Sequence, residues 1–159
     1  MMGGKKITGR KRHIAVDTQG NLLAVRVTAA SVDDAEAAVP LLACLPPTAF
    51  PRLTLLFADS KYHNHALYET LIEDGPSYEL RTVHRPEGAQ GFVVLPRRWV
   101  VERTLAWLVG FRRLDKDYEK GTWSSETRVR IAMLQLLLRR LHWRSWRHWE
   151  PPFKYRWAA

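Results

Sequence analysis

Hydrophobic and polar positions along this chain follow different periods in different stretches. Residues 13–16 (HIAV) and 22–28 (LLAVRVT) are apolar runs rich in strand formers. The segment between them, Asp17-Thr18-Gln19-Gly20-Asn21, carries turn chemistry, so the two runs predict a β-hairpin with Asp17 in its turn. Residues 31–34 read as a helix start, residues 35–45 as the helix, and Pro46-Pro47 as its stop. Asp33 and Asp34 suit capping and the positive end of the helix dipole. Residues 53–58 (LTLLFA) form a continuous apolar run, the pattern of a strand buried on both faces, and Asp59 closes it. Residues 64–73 then read as a helix, 78–83 as a strand, 84–90 as a loop and 92–95 as a last short strand.

Pro96 ends that strand and suits the first turn of a helix over residues 97–111. Nearly every face of this helix is apolar, through Trp99, Val100, Val101, Leu105, Ala106, Trp107, Leu108, Val109 and Phe111. Such a helix is expected to be buried. Glu102 lies in its middle, one turn after Arg98. A buried carboxylate is costly unless it is paired or binds a metal, so Glu102 either pairs with Arg98 or Arg103 or belongs to a site. Asp59 poses a similar choice. It stands at the carboxyl end of a strand, where sites on open α/β sheets lie, and is otherwise an ordinary turn residue. Beyond a polar connection at 112–120, Ser124 or Ser125 caps a helix start, and residues 128–149 predict a long helix. Leu134, Leu137, Leu138 and Leu141 give that helix an apolar side.

The chain's 159 residues are enough for one domain with a real core, and 46% hydrophobic with 26% charged content is a globular balance. The formal charge of +9 favours a polyanionic partner such as nucleic acid. Basic clusters fall at 5–12, 97–113 and 139–156. Arg10, Lys11 and Arg12 could contact a DNA backbone as an arm, or form the solvated start of the domain. A single cysteine, Cys44, excludes an internal disulfide, fits a reducing cytoplasm, and reads as a small buried residue on a helix. No apolar run reaches the ~18 residues of a membrane span, and no apolar signal core follows the basic N-terminus. His63 and His65 cannot share a helical face and are not read as a zinc pair. The segment 143–159 carries Trp143, Trp146, Trp149 and Trp157 among basic residues. It suits base stacking, an anionic surface, or docking on the body of the domain.

Three segments together resemble a known family. The run from Arg98 to Leu108 (RWVVERTLAWL), followed by Phe111-Arg112-Arg113-Leu114, resembles the closing motif of bacterial DDE transposases of the insertion sequence 5 family. Phe57-Ala58-Asp59-Ser60-Lys61-Tyr62 resembles that family's Ala-Asp-Gly-Gly-Tyr segment, with Ser60-Lys61 in place of Gly-Gly. Residues 9–18 (GRKRHIAVDT) resemble the hairpin after the family's first catalytic strand. The resemblance implies an α/β, RNase H-like mixed sheet with flanking helices, incomplete at its N-terminus, over residues 1–142, with 143–159 as a tail. It implies that Asp59 and Glu102 are the second Asp and the Glu of a metal-binding triad. Mg²⁺ or Mn²⁺ would be the cofactor, with Arg98 orienting Glu102 or holding a phosphate. Arg10, Lys11, Arg12, Lys61, Arg97, Arg103, Arg112 and Arg113 become candidates for contacting transposon-end and target DNA.

The triad's first Asp has no counterpart in the sequence, so the chain is expected to be a C-terminal fragment, in the manner of a second reading frame. It would then need an N-terminal transposase segment, with a second copy of the chain as another partner. It is expected in the bacterial cytoplasm, with no membrane partner. Two other classes stay open: a catalytically inactive DNA-binding module that regulates the full transposase, and an interaction domain using the Trp/Arg tail on a protein or membrane.

Overall fold

A computed structural model describes residues 9–62, 67–69, 78–83 and 99–142. Strands β1 (Arg10–Val16) and β2 (Leu22–Ala29) form an antiparallel hairpin, with Arg10 opposite Ala29 and Ala15 opposite Ala24. The Asp17 carboxylate holds the turn. Its Oδ1 accepts from the backbone N–H groups of Gln19 and Asn21, each at 2.8 Å, and its Oδ2 accepts from Asn21 Nδ2 at 2.7 Å. Asp17 is thus a turn residue, as its neighbours predicted.

The hairpin is buried on both sides, and its period of two divides the core. Ala15 and Ala24 face helix α1 (Asp34–Leu42), joining Ala38, Leu41, Leu42 and Leu45. Val25 and Val27 face the opposite way, into a second cluster with Leu108, Leu114, Val129 and Met133. Asp33 caps α1, its carboxylate accepting from Ala35 N–H at 2.9 Å. This helix ends at Leu42, earlier than Pro46-Pro47 implied, and holds Pro40 within it. A proline has no N–H to give the carbonyl one turn back, so Pro40 interrupts the hydrogen-bond ladder shortly before the helix ends. Cys44 lies just beyond it, half-buried instead of buried on the helix, with its thiol donating to Pro40 O at 3.3 Å.

Strands β3 (Leu55–Asp59) and β4 (Glu79–Val83) pair in parallel as a separate two-stranded sheet. Their carboxyl ends therefore lie together, with Asp59 opposite Val83. Contrary to the pattern of its apolar run, β3 is half-buried along its length. The residues packed against the cluster under α1 include Leu56 of β3 and Leu80 of β4. Of the helix predicted over 64–73, the described residues 67–69 are helical. The strand expected at 92–95 and the tail at 143–159 lie outside the described residues.

Helices α2 (Trp99–Val109), α3 (Arg112–Asp115) and α4 (Thr122–His142) cover the other face of the hairpin. One expectation about them fails. Helix α2 is not apolar-buried all round: Val100, Thr104 and Leu108 are buried, while Trp99, Glu102, Ala106 and Val109 are exposed along one side. Helix α4 runs unbroken from Thr122 and buries Ser125, Glu126, Val129, Ala132 and Met133. The leucines of its apolar side, Leu134, Leu137, Leu138 and Leu141, are exposed. The burial of Glu126 explains this orientation. Its Oε1 accepts from Val27 N–H of β2 at 3.1 Å, while Arg26 and Arg130 approach Oε2 at 3.6 and 3.4 Å. A buried strand amide left unpaired is costly, and this carboxylate satisfies it. Among the described residues, no helix is long and apolar enough to cross a membrane.

Candidate functional site

Asp59 ends β3, and a single 3-10 turn, Ser60–Tyr62, follows at once. Asp59 Oδ1 accepts from Ser60 Oγ at 3.1 Å and from Lys61 N–H at 3.2 Å, so the turn fixes the carboxylate from the chain's own next residues. Lys61 is exposed beside it. Tyr62 closes the turn against the cluster under α1. Its Oη lies 2.9 Å from His13 Nδ1, and His13 Nε2 lies 3.0 Å from Thr28 Oγ1 of β2. The two rings meet edge to face, 6.3 Å apart. Burial, then the negative charges of Asp34 and Asp59, push the Tyr62 phenol up to about 12, so it stays protonated. Burial also pushes the His13 imidazole below its usual range, with Lys11 acting in the same direction and Asp34 against both.

Glu102 stands in the first turn of α2 on its exposed side. Glu102 is therefore not a charge forced into the core, and its place in the motif is what marks it. Arg97 and Arg98 lie outside the described residues. Among the described residues, no three His, Cys, Asp or Glu side chains gather as a metal cluster. Asp59 and Glu102 offer hard oxygen donors on accessible side chains, a donor chemistry that fits magnesium or manganese ions, which keep several waters.

The basic candidates divide by what they already hold. Arg10 pairs with Asp117 at 3.3 Å and donates to Lys120 O at 2.7 Å. Lys11 bridges Asp34 at 2.9 Å and Val32 O at 2.8 Å. Arg12 donates to Leu114 O at 2.6 Å. Arg113 pairs with Glu119 at 2.8 Å, and Arg128 reaches the same oxygen at 3.2 Å. Hydrogen bonds from Arg113 and Ser124, reinforced by the charges of Arg113 and Arg128, push Glu119 down to about 2. Asp117 is also held below the carboxylate range: burial pushes it up, but the Glu119 N–H, Ser125 and Arg10 outweigh that. Lys61 and Arg112 are exposed. Arg103 is sandwiched, with its guanidinium 4.4 Å from the Trp99 ring centre and 4.6 Å from that of Trp107. It donates to Gln19 O at 3.0 Å, clamping the hairpin tip to α2. Arg140 stacks on Trp107 at 4.5 Å and donates to Asn21 Oδ1 at 2.6 Å.

The sequence reading missed two parts of this arrangement. The i, i+4, i+8 spacing of Trp99, Arg103 and Trp107 was legible as a stack but was assigned to core and DNA contact. His13 carried only a weak signal, a titratable side chain inside a strand-forming run.

Comparison with known proteins adds the lineage. The family model described as a transposase DDE domain matches residues 1–148. A putative transposase for insertion sequence element IS402 from Burkholderia cepacia is 35% identical over 122 residues, covering 70% of this chain and 54% of that protein. The chain thus spans about half the length of that curated relative. No solved structure matches it.

Proposed function

The chain belongs to the transposase DDE domain family, and from that premise we propose that it carries two of the carboxylates, Asp59 and Glu102, of an insertion-sequence transposase site. The observation that carries this reading is the match over residues 1–148 together with Asp59 at the carboxyl end of a parallel pair. That pair and the hairpin would belong to one RNase H-like sheet. In such a site the two side chains would converge from β3 and α2, and Arg98 would orient Glu102 or hold a phosphate. Mg²⁺ or Mn²⁺, when bound, would activate the attacking oxygen and stabilise the leaving one. The chain's own contribution is to fix Asp59 through the Ser60–Lys61 turn and to present Glu102 on an accessible helix face. DNA at transposon ends and targets would be the substrate, with Lys61 just after Asp59 in sequence and Arg97 and Arg98 shortly before Glu102.

Two carboxylates fall short of a two-metal site, and no third gathers with them among the described residues. The isolated chain is therefore expected not to nick DNA with Mg²⁺ or Mn²⁺. Fusing or adding a strand-plus-Asp segment of a transposase should restore nicking, and Asp59→Ala or Glu102→Ala should abolish it again. Nicking by the isolated chain that depends on both residues would place the third ligand within residues 1–159. Restored nicking indifferent to both substitutions would remove the assignment. The formal charge of +9 also suits a second reading, a DNA-binding regulator without catalysis. Tight DNA binding with no nicking after complementation would select it.

A further inference from the structure

The short turn after β3 has little of its own to hold it. Ser60 and Lys61 are exposed, and the turn is only three residues long. Yet it holds the Asp59 carboxylate through Lys61 N–H and Ser60 Oγ. Its third residue is the anchored one. Tyr62 packs against the cluster under α1, and its Oη meets His13, which in turn meets Thr28. A hydrogen-bonded path thus runs from β2, across β1, to the turn that sets Asp59. His13 is 3% exposed, in a position that an apolar side chain could fill for packing alone. A buried imidazole is tolerated because both ring nitrogens are satisfied, and its two partners fix the ring in place. A phenol that stays protonated always keeps its hydrogen for this network.

We infer that His13 and Tyr62 are positioning residues for the Asp59 carboxylate, tying the turn after β3 to the central hairpin. This inference rests on the reading of Asp59 as a metal ligand. Groups that orient a ligand from behind commonly change metal affinity by about tenfold or more when removed.

The test titrates Mn²⁺ into the full chain at pH 7.5, with water-proton relaxation as the readout and thermal unfolding in parallel. Wild-type binding should be lost in Asp59→Asn. Tyr62→Phe keeps the ring and removes the hydroxyl. It should weaken Mn²⁺ binding about tenfold and speed hydrogen exchange at the Lys61 amide, while the unfolding temperature falls only by the few degrees that one lost buried hydrogen bond costs. His13→Gln, which can still meet Tyr62 with one hydrogen bond, should weaken binding less than His13→Leu. A loss of stability alone would not produce that order. Binding that depends on Asp59 but is unchanged in Tyr62→Phe and His13→Leu overturns the positioning role and leaves the metal reading standing. Binding that is absent, or indifferent to Asp59→Asn, overturns both.

Discussion

At Gly20 the backbone φ is 82°, a conformation that costs an L side chain ~1–2 kcal/mol. An added Cβ would also lie 2.6 Å from Thr104 Oγ1 and 3.0 Å from the Trp107 ring. Neither neighbour can yield easily, because Thr104 is fully buried and Trp107 is stacked between Arg103 and Arg140. Gly20→Ala should therefore destabilise the chain by more than ~2 kcal/mol and loosen the hairpin tip from α2, measured by urea unfolding. Asp33→Ala, a simple cap loss, should cost only about 1 kcal/mol. His13 gives a pH prediction. Its folded pKa is depressed, so the unfolded imidazole takes up a proton near 6.5 while the folded one does not. The unfolded state then binds more protons, and stability falls as pH drops below ~6.5. Urea midpoints between pH 7.5 and 5 should show this decline, and His13→Gln should flatten it. Glu119 acts in a lower window, its contribution fading as pH falls from the usual carboxylate range toward about 2.

Among the elements, α4 separates the two kinds of leucine most clearly. Leu108 of α2 is 1% exposed against it, whereas Leu138 on its outer side is 56% exposed. Leu108→Ala should cost ~2–5 kcal/mol by leaving a cavity, while Leu138→Ala should shift stability by less than ~0.5 kcal/mol, both read from thermal or urea unfolding. The opposite ranking would mean that Leu138, not Leu108, lies in the core. The orientation of α4 marks where the sequence stopped being legible. The hairpin, Asp33, Asp59 and β4 could be read because their signals are local: turn residues, a cap, and the end of an apolar run. The inner face of α4 could not, because a carboxylate, Glu126, sits in the core to satisfy Val27 N–H while four leucines face out. A hydrophobicity pattern has no way to register a hydrogen bond to a strand 99 positions away. Glu102 shows the converse case. The family motif pointed to it, but the burial argument offered beside the motif was wrong, since that side of α2 is open.

On the scale of the whole molecule the charge is +9, and among the described residues part of it is already engaged within the fold. Arg10, Lys11, Arg113 and Arg128 already neutralise Asp117, Asp34 and Glu119, and Arg12 and Arg103 are spent on backbone carbonyls. Those contacts hold the hairpin to α1, α2 and the α3–α4 connection, so swapping them for phosphates would cost part of the fold. The exposed cations Lys61, Arg112 and Lys116 hold no ion pair among the described residues and can meet phosphate at no such cost. Each phosphate neutralised releases condensed counterions, which sets the salt dependence of binding. Contacts from these three alone would lower duplex affinity roughly 40-fold between 50 and 200 mM salt, whatever the sequence. Lys61→Ala and Arg112→Ala should each lower the slope of log affinity against log salt by about one contact. Arg10→Ala should instead lower stability and leave that slope unchanged, because its partner is Asp117. Fluorescence anisotropy on one duplex at four salt concentrations measures all of these slopes. A steep slope that drops with Arg10→Ala and ignores Lys61→Ala would reverse the division and make the β1 arm the DNA-contacting surface.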